Sequence, residues 1–198
     1  RVRASIMLDA RADILLYGMG ERAIVEVAGL LRDGIPVSNI TGVQGTVYLS
    51  SSVDGAQDAV TVPSFEEVRD SREKYAAAFM QQYGEQDPIR GKTIIQMHGN
   101  RYVVQNPPAK PLTEKEMDRV YALPYQRTHH PMYESDGGVP AIQEVEFSIT
   151  SHRGCFGACS FCSLAFHQGR MIQGRSRASI INEAKKLTWA PGFKGYIH

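Results

Sequence analysis

All three cysteines of the chain fall within eight residues, Cys155-Phe156-Gly157-Ala158-Cys159-Ser160-Phe161-Cys162. An odd number of thiols packed that closely cannot staple distant segments together, so a disulfide framework is excluded as the source of the fold. A hydrophobic core must supply it instead. With 198 residues, 42% hydrophobic and 22% charged, the chain has material for one ordinary domain or two small ones. Ile14-Leu15-Leu16 is far too short an apolar run to span a membrane. No charged-then-apolar leader follows Arg1, so the expected setting is a reducing cytoplasm with free thiols. The chain ends at His198 inside a strand-like run and reads as an internal fragment of something longer.

Net charge is only +1, but it is unevenly placed. Residues 151–198 carry +6, with Glu183 their single acid, while residues 1–150 carry −5. This asymmetry points either to an anionic ligand near the C-terminal segment or to a solvated basic face.

Along the chain, residues 13–17 read as a strand, followed by Gly18-Met19-Gly20 and a helix with Ile24, Val27, Ala28 and Leu31 on its apolar face, ended by Gly34. Thr46 to Leu49 form a second strand and Gly55 to Asp58 a polar loop. Ser64 and Glu67 make a capping box that opens a helix over 64–83, with Phe65, Val68, Tyr75 and Phe79 as its stripe. Thr93 to Met97 and Tyr102 to Gln105 flank a glycine-containing hairpin turn. Asn106-Pro107-Pro108-Ala109-Lys110-Pro111 is irregular, and Thr113 with Glu116 caps a short helix to about Leu123. Residues 124–140 connect to a strand in which Val145, Phe147 and Ile149 alternate with polar residues. A loop over about 151–175, a helix capped by Ser176 or Ser179, and a strand from Phe193 to Ile197 complete a βαβ unit, which implies a parallel sheet.

Gly18-Met19-Gly20-Glu21-Arg22-Ala23 fits the glycine fingerprint of dinucleotide sites, between a strand and a helix. The carboxylate expected about 20 residues on is missing from residues 40–46. Glu21 would also occupy the helix N-terminus where a phosphate should sit. The motif is therefore read as a structural turn.

The cysteine spacing C-x3-C-x2-C lets three thiolates wrap one compact inorganic core, with Gly154 and Gly157 allowing close backbone approach. A four-iron cluster normally takes four cysteines, so three would leave one iron open for chemistry. The alternatives are a Cys3His zinc site recruiting His152 or His167, and inert buried cysteines.

The aromatic residue before the third cysteine, Phe161, completes the signature of radical S-adenosylmethionine (radical SAM) enzymes. With Arg153-Gly154-Cys155-Phe156-Gly157, Phe166-His167-Gln168-Gly169-Arg170, Gln173-Gly174-Arg175-Ser176, Asn106-Pro107-Pro108, Leu123-Pro124-Tyr125 and Phe193-Lys194-Gly195-Tyr196-Ile197-His198, the chain resembles the YgiQ family of radical SAM proteins. The stretch Leu16 to Arg22 is similar to that family's N-terminal region and to the end of a cobalamin-binding-like domain.

That resemblance implies an α/β chain in which residues 1–140 form a Rossmann-like accessory region and 141–198 begin a partial (β/α)6 barrel. Cys155, Cys159 and Cys162 would each hold one iron of a [4Fe–4S] cluster, and S-adenosylmethionine would take the fourth. Phe161 would contact its adenine, and Arg170 and Arg177 would be candidate carboxylate partners alongside Arg153 and Arg175. Reduction by a donor such as flavodoxin or ferredoxin would release a 5′-deoxyadenosyl radical that abstracts hydrogen from an unknown substrate. By itself the fragment would turn over slowly or not at all. The rival is a zinc-binding interaction module without catalysis. Modification of RNA rests only on the local basic charge, and the acidic first 150 residues count against it. The D-x-H-x-x-G motif that supplies a histidine to cobalamin is absent, since none of the six histidines has an aspartate two residues before it.

Overall fold

The β-branched and aromatic residues of Ile94–His98 and Arg101–Gln105 form the predicted hairpin, with Gly99 in its turn at φ +59°, in the computed structural model of the chain. Residues 2–53, 58–157 and 159–197 are described; most of the polar loop at 55–58 and the terminal His198 lie outside them.

The elements in order are α1 (Ile6–Asp9), β1 (Ile14–Leu16), α2 (Glu21–Arg32), β2 (Thr46–Ser50), β3 (Val60–Thr61), α3 (Phe65–Asp70), α4 (Arg72–Gly84), β4 (Ile94–His98), β5 (Arg101–Gln105), α5 (Glu114–Tyr121), α6 (Ile142–Val145), β6 (His152–Arg153), α7 (Leu164–His167), β7 (Gln173–Gly174) and α8 (Arg177–Thr188). Short 3-10 turns occupy Val37–Asn39 and Pro131–Asp136. The chain divides into two compact units, residues 1–111 with 154–171, and residues 112–153 with 172–198.

The first unit is built on a five-stranded sheet in the order β1-β2-β5-β4-β3. Only β3 and β4 run parallel; the other pairings are antiparallel. This replaces the Rossmann-like expectation, which requires a mostly parallel sheet. Ala23, Val27, Ile40 and Val43 pack with Ile14, Leu16 and Leu30 in one core cluster, and Val62, Val68, Ala78 and Ile94 form another. Each fully buried valine or leucine contributes about 1.5–3 kcal/mol. Asn106 ends the sheet: its buried side-chain amide donates to the Thr41 carbonyl at 2.8 Å and to Thr46 Oγ1 at 3.0 Å, so the proline-rich exit is tied to β2. The Tyr17 hydroxyl donates to the Asn106 carbonyl at 2.5 Å, and burial raises its pKa above the ordinary tyrosine value.

Two helices differ from the sequence expectation. α2 buries Ala23 and Val27, while Ile24 and Leu31 are exposed, so its inward face is rotated by one residue. The helix over 64–83 is two helices. Ser64 makes the expected capping box with Glu67, but Ser71 is extended (φ −134°, ψ 125°) and its side chain caps α4 by accepting from Lys74 N–H. A serine that satisfies a new helix start competes with continuation of the old one.

In the second unit, Thr113 and Glu116 form the expected capping box and Ser176 caps α8. Met117, Leu187 and Phe147 are buried, and Phe147 meets Phe193 edge-on at 5.5 Å. The expected strand at 145–150 is absent among the described residues, and α6 occupies Ile142–Val145. The Arg127 guanidinium donates to the Glu146 and Ser148 carbonyls, so these acceptors serve a side chain rather than a neighbouring strand. No strand forms over Phe193 to Ile197 either, and β6 pairs antiparallel with β7. The predicted parallel βαβ unit is thus not formed among the described residues. No helix of the described residues is long and apolar enough to cross a membrane.

Candidate functional site

The chain around the cysteines is held by backbone hydrogen bonds and by glycine, in each unit separately. β6 and β7 pair His152 with Gly174 and Arg153 with Gln173, and Arg175 N–H donates to the Ser151 carbonyl at 3.1 Å. Gly154 follows with φ +89°, and a Cβ there would lie 2.2 Å from the Met171 carbonyl oxygen. Only glycine fits that crossing. Gly154 N–H donates to Gln168 Oε1 at 3.1 Å, and Cys155 N–H donates to the Gly169 carbonyl at 3.1 Å.

The three cysteines are free thiols; Cys155 and Cys162 are half-buried and Cys159 is exposed. A Cβ on Gly157 would sit 3.5 Å from Cys155 Sγ and 3.7 Å from Cys159 Sγ, so both sulfurs border the space that glycine leaves empty. Cys162 N–H donates to the Cys159 carbonyl at 3.0 Å, closing a backbone turn between the second and third cysteines. No set of three or more His, Cys, Asp or Glu side chains among the described residues is gathered closely enough to hold a metal ion. Neither His152 nor His167 therefore completes a Cys3His group there. In donor chemistry the set suits an iron–sulfur core, with soft thiols on a loop and no side chain at Gly157 between two of them. Phe161 is 90% exposed beside the third thiol.

The arginines of the basic segment have different environments. Arg175 is buried: it donates to the Thr150 carbonyl at 2.9 Å and to Ser179 Oγ, pairs with Glu183, and lies 4.2 Å from the Tyr121 ring centroid. Burial lowers its pKa from the ordinary arginine value. Arg153 donates to the Tyr121 hydroxyl at 3.1 Å and lies over the same ring. Arg170 stands 4.4 Å from the Tyr83 centroid, with its Nε buried and without a hydrogen-bond partner among the described residues. Arg177 is exposed in the first turn of α8.

Sequence reasoning marks Glu183 only as the segment's single acid, yet it binds both Arg175 and Arg127. The available signal is its position, since it shares the stripe of Ile180, Ala184 and Leu187, where a carboxylate must find a partner. Tyr121 and Asp118, which accepts from Ser176 N–H at 2.9 Å, carry no local signal. Gly18 sits at φ +68°, and a Cβ there would lie 3.3 Å from the His167 carbonyl oxygen, so the fingerprint-like turn borders α7.

The chain matches the radical SAM N-terminal family over residues 1–148. It is 58% identical over 197 residues to a UPF0313 protein of Clostridium botulinum (strain ATCC 19397 / Type A), covering 100% of this chain and 30% of that relative. A UPF0313 protein of Clostridium perfringens (strain ATCC 13124) is 52% identical over 199 residues, again covering 100% and 30%. The chain thus spans about three tenths of the length of these curated relatives. No solved structure matches.

Proposed function

Because the chain belongs to the radical SAM N-terminal family, we propose that it is part of a YgiQ-type radical SAM enzyme whose Cys155, Cys159 and Cys162 hold a [4Fe–4S] cluster. Residues 1–140 are the accessory region and 141–198 open the core, whose barrel is completed by the rest of the longer protein. The observation that carries the reading is the pair of thiols bordering the space at Gly157, on a segment whose base only glycine can close. When bound, the cluster supplies one-electron reduction of S-adenosylmethionine, the source of hydrogen-atom abstraction.

The chain's own residues divide the remaining work. Phe161 presents an open ring beside the third thiol for the adenine. Arg170 and Arg177 are the candidates for the carboxylate, whereas Arg175 is already committed to Glu183 and Tyr121. A reducing cytoplasm keeps the three thiols free, and a flavodoxin or ferredoxin delivers the electron.

The test is 5′-deoxyadenosine formation from S-adenosylmethionine and dithionite under anaerobic conditions. Full-length protein should form it, Cys159→Ala should abolish it, and the 198-residue chain should be slower than its parent. Undiminished formation by Cys159→Ala would overturn the proposal.

A further inference from the structure

Helix α4 carries Tyr75, Phe79 and Met80 on a surface that the sheet does not cover; they are 52%, 47% and 63% exposed. Aromatic residues so open add little to a core. Phe79 and Tyr83 nevertheless have a partner. Phe166 of α7 lies 6.1 Å from the Phe79 ring centroid and 5.6 Å from that of Tyr83, and those two rings are 6.0 Å apart. All three pairs are tilted, a favoured geometry for aromatic rings. Arg170, four residues after Phe166, places its guanidinium 4.4 Å from the Tyr83 centroid, within cation–π range.

This cluster lies within the first unit and connects directly to the thiols. Between Phe166 and Arg170, Gly169 accepts the Cys155 N–H and Gln168 accepts the Gly154 N–H. On the other side of α7, the His167 carbonyl borders the glycine turn at Gly18. A continuous path of contacts therefore runs from α4 through Phe166 and Gly169 to the backbone of the first cysteine.

We infer that Phe79, Tyr83 and Phe166 are positioning residues, a clamp by which the N-terminal sheet unit sets the geometry of the cysteine segment for its cluster. The inference rests on the cluster reading above and gives the accessory region a physical role, which is to hold the loop in register before any iron arrives. The glycine fingerprint shares that role, because a side chain at residue 18 would press on the α7 backbone.

The clamp is tested in full-length protein, first without iron. Hydrogen exchange over residues 155–168 should be about fivefold faster in Tyr83→Ala and in Phe166→Ala, as expected for losing an aromatic pair. Exchange in the β4–β5 hairpin should be unchanged. After anaerobic reconstitution the same variants should retain severalfold less iron under chelator challenge, and their reduced-cluster electron paramagnetic resonance spectrum should broaden. Tyr83→Phe and Phe166→Tyr, which keep the rings, should behave as wild type in every measurement. Unchanged exchange in both alanine variants would overturn the clamp, and so would faster exchange with wild-type iron retention and spectrum. If the wild-type protein takes up no iron, the cluster reading fails. The clamp as a device for the cluster then falls with it, and the exchange comparison still decides whether α4 holds the segment.

Discussion

In the sheet, Ile95 and Val104 are each 2% exposed and are paired directly across β4 and β5; in the cysteine segment, Phe156 and Phe161 are 81% and 90% exposed. The strands repeat one backbone pattern, so their order is shared among many equivalent bonds and buried apolar groups. Among the described residues from Thr150 to Ser176, such repetition is confined to the two-residue β6–β7 pairing and the single turn of α7. Order there comes from single groups: a glycine that alone fits its crossing, one glutamine side chain, one carboxylate between two arginines. A region made by repetition tolerates change at most positions. A region made by single contacts concentrates its vulnerability in a few.

The sharpest way to break that contrast is Gly154→Val. The added Cβ meets the Met171 carbonyl at 2.2 Å in a left-handed conformation, so the segment's base cannot close. We expect complete loss of iron uptake, with hydrogen exchange of the β4–β5 hairpin unaltered. An intact, iron-loaded Gly154→Val protein would mean that the segment is not point-determined.

Next is Glu183→Ala, read by denaturant unfolding. Removing one partner of a buried ion pair leaves the Arg175 guanidinium without its directly paired carboxylate, a loss of about 3–5 kcal/mol. A loss below 1 kcal/mol would place the pair among surface contacts, which contribute roughly 0–1 kcal/mol. The smallest effect is expected from Ser64→Ala, which removes one capping hydrogen bond from α3 at the cost of about 1 kcal/mol. Equal damage from Ser64→Ala and Glu183→Ala would erase the distinction between the two regions.

Sequence legibility follows the same division. The hairpin at Gly99 and the caps at Ser64, Thr113 and Ser176 are readable, because each is determined by residues within a few positions. The break at Ser71 is not, although serine both ends and starts helices, because the apolar residues around it continue a plausible stripe. The inward face of α2 falls one residue from its expected place, since Ile24 and Ala23 are adjacent and only the sheet decides which turns in. The alternation at Val145, Phe147 and Ile149 looks like a strand, and its carbonyls instead serve Arg127, some twenty residues earlier in the chain. Phe79 has the spacing of a core residue and meets Phe166 instead. At the cysteines the residue types are legible as chemistry. The space at Gly157 and the base at Gly154 depend on backbone conformation, which spacing alone does not specify.

The measurement that bears most directly on the three-cysteine cluster is iron and acid-labile sulfide analysis of anaerobically reconstituted full-length protein. We expect about four iron and four sulfide per chain. Cys155→Ala, Cys159→Ala and Cys162→Ala should each fail to hold a stable cluster. A single variant that kept the full complement of both, or a wild-type protein that bound zinc in place of iron and sulfide, would contradict the assignment.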